Sequence, residues 1–322
     1  MNWAKSCFAA CLVFALLLIA EQGASPQSAR TIKLIVPVPP GASTDFVARL
    51  MAEYIGRTHG VTMVVENRPG ASGMIGTESV ARATPDGNTL LMTANTYLLD
   101  AQTRKANYHP VTDFQPICLL VYSPSVLVVH SASPYRTLKD LLDAARAKPG
   151  ELSMAAVGPG STFQMAFGVM SRTANVNMTY VPFAGSAPAV NAALGQHVTS
   201  AFSGYAVVSE HIKAGTLRPL AVATLKRIDP LPDVPTFDES GFKSLEADNW
   251  FGVIAPEKTP KDTITQLAGW FGGALQASDV KTKLAVQGLY PIGTCGDDFS
   301  AYVRKRYDEY GEALKTSGMK PQ

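Results

Sequence analysis

The sequence predicts an α/β protein built from two lobes. Strand-like and helix-like segments alternate along most of its 322 residues, and such alternation indicates parallel sheets with helices on their faces. About 290 residues follow an N-terminal leader, which is enough for two lobes of roughly 100–150 residues each. No tract of glycine and serine separates the two halves. We therefore expect the lobes to share crossing strands rather than to be joined by a flexible linker.

The leader, residues 1–29, has the pattern of a secretory signal peptide. Lys5 precedes an unbroken apolar run over residues 7–20, and small and polar residues follow it. The run is too short for a membrane-spanning helix, which needs about 20 residues. The alternative is a buried helix of the fold, but the charge before the run and the polar break after it favour a signal peptide. We expect cleavage between residues 20 and 30 and a periplasmic location, away from the ATP and nicotinamide pools of the cell.

The composition is that of an ordinary globular protein, with 46% hydrophobic residues, 17% charged residues and a net charge of +2. No run of lysine and arginine is available to follow a phosphate backbone, so we expect no nucleic-acid partner. No histidine has the spacing of a metal site, and we expect neither a metal nor a cofactor. The leader leaves Cys118 and Cys295. The apolar neighbours of Cys118 favour two separate buried thiols, with a disulfide as the alternative.

In the first half of the chain, β-type runs and helical spacing alternate. Residues 32–36 form a β-type run, and the apolar residues after Thr44 recur at helical spacing. The predicted strands of this half are residues 32–36, 63–66 and 89–93, and the predicted helices begin near Thr44 and span residues 77–83.

The same alternation continues in the second half. Thr137 is a natural N-cap for a helix that ends before Pro149. The predicted strands are residues 126–130, 152–157, 178–182, 220–224 and 251–256, and the predicted helices are residues 137–147, 162–171, 187–194, 260–275 and 299–316. The proline-rich stretch 229–236 is predicted to be irregular.

The segment most suited to chemistry joins the first strand to the first helix, over residues 36–45. Gly41 permits a tight turn, and Ser43, Thr44 and Asp45 stand at the helix start. A helix N-terminus at the carboxyl edge of a parallel sheet binds anions, because it carries unpaired N–H groups and the positive end of the helix dipole. The alternative is that these three side chains only cap their own helix, and this loop by itself does not decide between the two.

Two later loops repeat the design, over residues 157–162 and 182–188. Neither is a dinucleotide-binding or a P-loop motif, and no G-x-S-x-G nucleophile elbow occurs. A serine–histidine–aspartate triad assembled from distant residues stays open. Three turns rich in glycine and serine at helix starts favour a cleft lined by backbone donors.

Several segments resemble the extracytoplasmic receptors of tripartite tricarboxylate transporters, the Bug-type receptors. They include IKLIVPVPPGASTDFVARLMAE, VVENRPGASGMIGTESVARATPDGNTLLM, VPFAGSAPAV, LPDVPTFDESG and WFGVIAPEKTP, in order along the chain from residue 31. The resemblance implies a type II periplasmic-binding-protein fold, with two α/β lobes joined by crossing strands and a ligand cleft between them. It implies lobe 1 at residues 30–126 and 251–322 and lobe 2 at residues 127–250.

In that family the loops of the two lobes hold a small carboxylate from opposite sides, partly through water. The implied ligand-binding residues are Pro39, Gly41, Ser43, Thr44, Asp45, Asn95, Thr96, Gly158, Gly160, Ser161, Thr162, Ala184, Gly185, Ser186 and Ser203. Lobe 2 lacks polar and charged groups that are common in the family, at Val157, Gln164, Ala184, Thr199 and Ser203. This loss predicts a ligand with one firmly held carboxylate and a less charged distal part, such as an aromatic acid.

The resemblance therefore implies a monomeric periplasmic receptor that passes a small organic carboxylate to membrane permease subunits and catalyses no reaction. Two alternatives belong to other classes. One is a secreted hydrolase with a dispersed triad, and the other is a ligand-sensing module for a membrane sensor.

Overall fold

The structure, a computed structural model, describes residues 30–158, 161–224, 226–243 and 245–317. The predicted signal peptide and Gly160 lie outside these residues. No helix in the part of the chain that the structure describes is long and apolar enough to cross a membrane.

Eleven strands of the described chain form two sheets. The strands are β1 (Thr31–Val36), β2 (Thr62–Asn67), β3 (Thr89–Ala94), β4 (Phe114–Ser123), β5 (Ser125–His130), β6 (Ser153–Val157), β7 (Thr179–Phe183), β8 (Ser200–Gly204), β9 (Leu217–Val222), β10 (Asn249–Pro256) and β11 (Tyr290–Cys295). The first sheet has the order β11-β4-β10-β3-β1-β2, and the second has the order β7-β6-β8-β5-β9. In the first sheet β1 is parallel to β2 and β3, whereas β10 is antiparallel to β3 and β4.

Helices cover both sheets. They are α1 (Ser43–His59), α2 (Met74–Ala81), α3 (Thr96–Thr103), α4 (Leu138–Ala147), α5 (Thr162–Thr173), α6 (Ser186–Leu194), α7 (Tyr205–Lys213), α8 (Lys261–Gln276), α9 (Ser278–Val286) and α10 (Asp297–Ser317). The predicted cap of α4 is confirmed, because the hydroxyl of Thr137 accepts from the N–H of Asp140. The helix predicted at residues 77–83 begins earlier, at Met74.

Alternating side chains bury both faces of the first sheet. Ile32 and Leu34 of β1 pack in one hydrophobic cluster with α1 and α8, whereas Ile35 packs in a second cluster on the other face with Trp250. Two further clusters lie on the two faces of the second sheet. Burial on both faces is the expected state of strands that run parallel between helices.

The chain passes between the sheets at two places that lie side by side. β4 ends at Ser123 and β5 begins at Ser125. On the return, the N–H of Ala223 donates to the carbonyl of Ser125, and the N–H of Ala247 donates to the carbonyl of Ala223. The two lobes joined by crossing segments agree with the predicted architecture. The division of the chain at residues 126/127 and 250/251 stays a prediction.

The expectation of two separate thiols is wrong, because Cys118 and Cys295 form a disulfide. Cys118 lies in β4, and β11 runs antiparallel beside it with Cys295 directly opposite Cys118. The sequence reading missed β11, and without that strand nothing placed the second cysteine beside the first. The bridge attaches an edge strand of the first sheet to its neighbour.

Candidate functional site

The candidate site is a cleft of about 480 Å³ between the two lobes. Its lining comes from the first lobe at Ser72, Thr96, Asp100 and Arg104, and from the second at Val157, Gly158, Ser161, Phe183 and Ala184. Four predicted residues are thus brought together, namely Thr96, Gly158, Ser161 and Ala184. Glycine, serine and threonine make up much of the lining, so backbone and hydroxyl groups can reach a small ligand.

Parallel pairing explains why these residues meet. In the second lobe β6 and β7 run parallel, and Val157 lies opposite Phe183 at their carboxyl ends. The loops that follow both strands therefore open at one edge of the sheet. In the first lobe β1 and β3 are parallel neighbours, and the first loop and Thr96 follow their carboxyl ends. The two lobes present the same kind of edge to one cleft.

A second cavity between the lobes, of about 690 Å³, lies between α5 and α10. Its lining includes Met165 and Val169 of α5 and the charged residues Lys243, Arg306 and Glu309. None of the predicted loops lines it. We therefore place the candidate ligand site in the cleft where the strands end.

The first loop reaches the cleft through a small recess of about 30 Å³. Thr44, Thr77 and Thr93 line this recess, and Ser72 and Thr96 line both the recess and the cleft. A polar space of this size holds about one water molecule. A bridging water there would make Thr44 an indirect partner of anything bound in the cleft.

Asp45 is used inside the first lobe. Its carboxylate is buried and accepts hydrogen bonds from the N–H of Gly41 at 2.9 Å, from Nε of Arg49 at 3.0 Å and from Nδ2 of Asn67 at 2.9 Å. Burial alone would raise the pKa of Asp45, but these donors outweigh it and lower the pKa to about 2. Asp45 thus fixes the loop as a permanent anion, and its oxygens point to protein donors.

Ser161 caps its own helix. Its hydroxyl accepts from the N–H of Gln164 at 3.2 Å and donates to the carbonyl of Val157 at 3.0 Å. The hydroxyl of Tyr180 also donates to the carbonyl of Val157. The N–H of Gly158 donates to the carbonyl of Phe183 at 2.9 Å. Gly158 and Ser161 are therefore held firmly, and the polar groups just named already have partners.

The other predicted residues do not line the cleft. Pro39, Gly41 and Ser43 are exposed on the first loop, Asn95, Thr162 and Ser203 are buried, and Gly185 and Ser186 are half-buried beside the third loop. Asn95 donates through Nδ2 to the carbonyl of Asp248 at 3.0 Å. Ser203 donates to the carbonyl of Gly204 at 3.3 Å. These two side chains stabilise the interior.

Five lining residues were not among the predicted ligand-binding residues: Ser72, Asp100, Arg104, Val157 and Phe183. Ser72 has φ of 57° in a turn between Gly70 and Gly73. Residues 67–73, NRPGASG, contain this turn, and their clustered glycines were the available signal. Asp100 and Arg104 lie four residues apart at the C-terminal end of α3, a helix that the reading did not predict. Burial raises the pKa of Asp100 to about 6, although the charge of Arg104 lowers it.

Two α/β lobes with a cleft between them are the architecture of a solute-binding protein. The model of the tripartite tricarboxylate transporter family receptors matches residues 47–319, and the chain belongs to this family. Protein BugT of Bordetella pertussis is 31% identical over 306 residues, which cover 94% of each chain.

Two solved structures extend the comparison. Rpa4515 of R. palustris with adipate has a TM-score of 0.74 and 30% identity, over 92% of this chain and 100% of that one. MatC of Rhodopseudomonas palustris with bound malate has a TM-score of 0.69 and 28% identity, over 89% of this chain and 99% of that one. The similarities support the predicted receptor family and its two-lobe fold.

Proposed function

We propose that this protein is a periplasmic receptor that captures a small organic carboxylate in the cleft and delivers it to the membrane permease of a tripartite transporter. The observation that carries the proposal is the meeting of strand-end loops from both lobes around one cleft. The adipate and malate in the two related structures support a carboxylate as the ligand.

The cleft can hold a ligand's carboxylate without a cationic side chain paired to it. Thr96 at the start of α3 and Ser161 at the start of α5 line the cleft from opposite lobes. Helix starts carry free N–H groups and partial positive charge, which favour an anion. Because the hydroxyl of Ser161 already donates to Val157, backbone N–H groups are the donors expected from that side.

A thermal-shift screen of carboxylic acids, each paired with its uncharged amide, tests the proposal. A ligand present at 100 times its Kd stabilises the folded protein by about 2.7 kcal/mol. We expect at least one acid to raise the melting temperature and its amide to leave it unchanged. Equal shifts with acid and amide, or no shift with any acid, would contradict carboxylate binding.

A pair of threonine variants tests the place of binding. Thr96→Val removes the hydroxyl of a residue that lines the cleft, and Thr282→Val makes the same change at an exposed position of α9. Loss of a hydrogen bond to a charged group costs about 1.5–3 kcal/mol, so Thr96→Val should weaken acid binding by about tenfold or more. The Thr282 variant should bind like the wild type, and equal binding by both variants would move the site elsewhere.

The proposed receptor acts as a monomer and catalyses no reaction. No histidine is among the described residues that line the cleft, and the hydroxyl of Ser161 is engaged as a helix cap. Both facts disfavour the hydrolase alternative. Hydrolysis of generic esters, or labelling of Ser161 by a serine-reactive probe, would support the hydrolase alternative instead.

A further inference from the structure

Two charged side chains stand in the cleft among its described lining residues, one on the last turn of α3 and one at its C-cap. They are Asp100 and Arg104. The lining that lobe 2 contributes, from Val157 to Ala184, carries no charged side chain in the described residues. Any charged part of a ligand beyond its first carboxylate must therefore be met by α3.

The cleft runs along one face of this helix. Thr96, Asp100 and Arg104 are spaced four residues apart, and residues at this spacing share a helix face. Eight residues of α-helix separate the two ends of this row by about 12 Å. An anion beside Thr96 is favoured by the positive end of the helix. At the other end the helix is partly negative, and Arg104 supplies the positive charge there.

The contact of Arg104 with Asp100 leaves the guanidinium able to bind a second carboxylate. Its Nε lies 3.5 Å from Oδ1 of Asp100, longer than the 2.7–2.9 Å that is typical of a charge-assisted hydrogen bond. The described residues place no other carboxylate within ion-pair distance of Arg104. A guanidinium has five N–H donors in a fork that matches a carboxylate.

An ordinary helix pair looks different. Glu78 of α2 and Arg82 at its C-cap have the same spacing, with a contact of 2.5 Å and 68% exposure of the arginine side chain. In the cleft pair, Arg104 is 31% exposed and Asp100 only 11%. The cleft pair is thus longer and less exposed than the pair on α2.

We propose that Arg104 receives a second anionic group of the ligand, and that the receptor consequently selects dicarboxylates over monocarboxylates of the same length. Asp100 orients the guanidinium while the cleft is empty. This inference rests on the proposed receptor function. It also replaces the weakly charged distal end that the loops of lobe 2 suggested, because the charge comes from lobe 1.

Calorimetric titration of the exported form of the full chain with matched pairs of acids tests the selection. The pairs are succinate and butyrate, adipate and hexanoate, suberate and octanoate, and terephthalate and benzoate; in each pair the second carboxylate is the only charge that differs. We expect the dicarboxylate of the best-binding pair to bind at least tenfold more tightly. Arg104→Gln should abolish this preference, because binding of the dicarboxylate should weaken to the level of its monocarboxylate.

Arg82→Gln is the matched control, because Arg82 also sits at the C-terminal end of its helix and pairs four residues back. It should keep the preference of the wild type. Equal binding of both members of every pair by the wild type, or an unchanged preference in the Arg104 variant, would overturn the role of Arg104 and leave the receptor proposal standing. Failure of all eight acids to bind would overturn both proposals.

Discussion

Replacement of Asp45 by asparagine should destabilise the first loop and the lobe that carries it. The carboxylate accepts from the N–H of Gly41, from Arg49 and from Nδ2 of Asn67, and Asn67 also donates to the carbonyl of Val38. Asparagine keeps the shape of the side chain but loses its charge and one acceptor oxygen. The loop then has no anion to gather these donors.

The size of the effect follows from the pKa of Asp45. The change from 3.8 to about 2 corresponds to about 2 kcal/mol of stability at pH 7. The sign is that of a depressed pKa: the contribution is fully present above the unfolded value of 3.8 and is lost as the pH falls through about 2. We therefore expect Asp45→Asn to lower the free energy of unfolding by about 2 kcal/mol at pH 7.

Urea denaturation followed by circular dichroism measures this difference. The control is Asp143→Asn, which removes a half-exposed surface carboxylate paired with Lys139 and Arg146 and should leave the midpoint unchanged. If both variants unfolded at the urea concentration of the wild type, the role of Asp45 as the anchor of the first loop would be refuted. A loss of ligand affinity without loss of stability would instead make Asp45 a direct ligand contact.

Three further predictions concern the helix cap, the disulfide and the buried acids. Ser161→Ala should cost about 1 kcal/mol of unfolding free energy because an N-cap is lost, with carboxylate affinity nearly retained in calorimetry. Reduction of the disulfide between Cys118 and Cys295, which are 177 residues apart, should lower the free energy of unfolding by about 2–5 kcal/mol. The melting temperature should fall accordingly. Burial raises the pKa of Glu246 from 4.5 to about 7 and the pKa of Asp248 from 3.8 to about 6. At a pH between the unfolded and the folded pKa of each group, the folded state therefore binds more protons than the unfolded state. Stability in urea should thus fall as the pH rises from 5 to 8, and Glu246→Gln should make that fall shallower.

Strands and helices with clear local signals were predictable from the sequence. Residues 32–36 are mostly β-branched or apolar, and β1 covers them. Thr137 is a strong cap, and α4 begins directly after it. Three strands were not predicted, namely β4, β8 and β11, and β4 and β11 contain the prolines Pro116 and Pro291. Proline weakens a strand signal, and pairing with neighbouring strands overrides it here.

The missed helix α3 shows a different limit. β3 ends at Ala94 and α3 begins at Thr96, so no turn sequence separates the two, and no side chain in the described residues caps the helix. Without α3, the spacing of Asp100 and Arg104 had no structural meaning.

The sequence predicted which loops form the site, but it did not predict which side chains of those loops face the cleft. Strand ends followed by small residues indicated the loops of both lobes, and four of the predicted residues line the cleft. Sequence could not tell a hydroxyl that caps a helix from one that faces the cleft, because this depends on the direction of a side chain. Ser161 lines the cleft but uses its hydroxyl to cap a helix, and Asn95 is buried away from the cleft, whereas Thr96 lines the cleft at the start of α3.

The place of β10 in the first sheet has a consequence for the order of folding. β10 lies between β3 and β4, although the whole second sheet separates it from both along the chain. When the chain is synthesised from its N-terminus, all strands of the second sheet are complete by residue 222. The first sheet lacks the central strand β10 until residue 256 and the disulfide-linked edge strand β11 until residue 295. The first lobe is therefore begun first and finished last. β10 fills the gap between β3 and β4 after the strands of the second lobe, to which it is connected, have already been made.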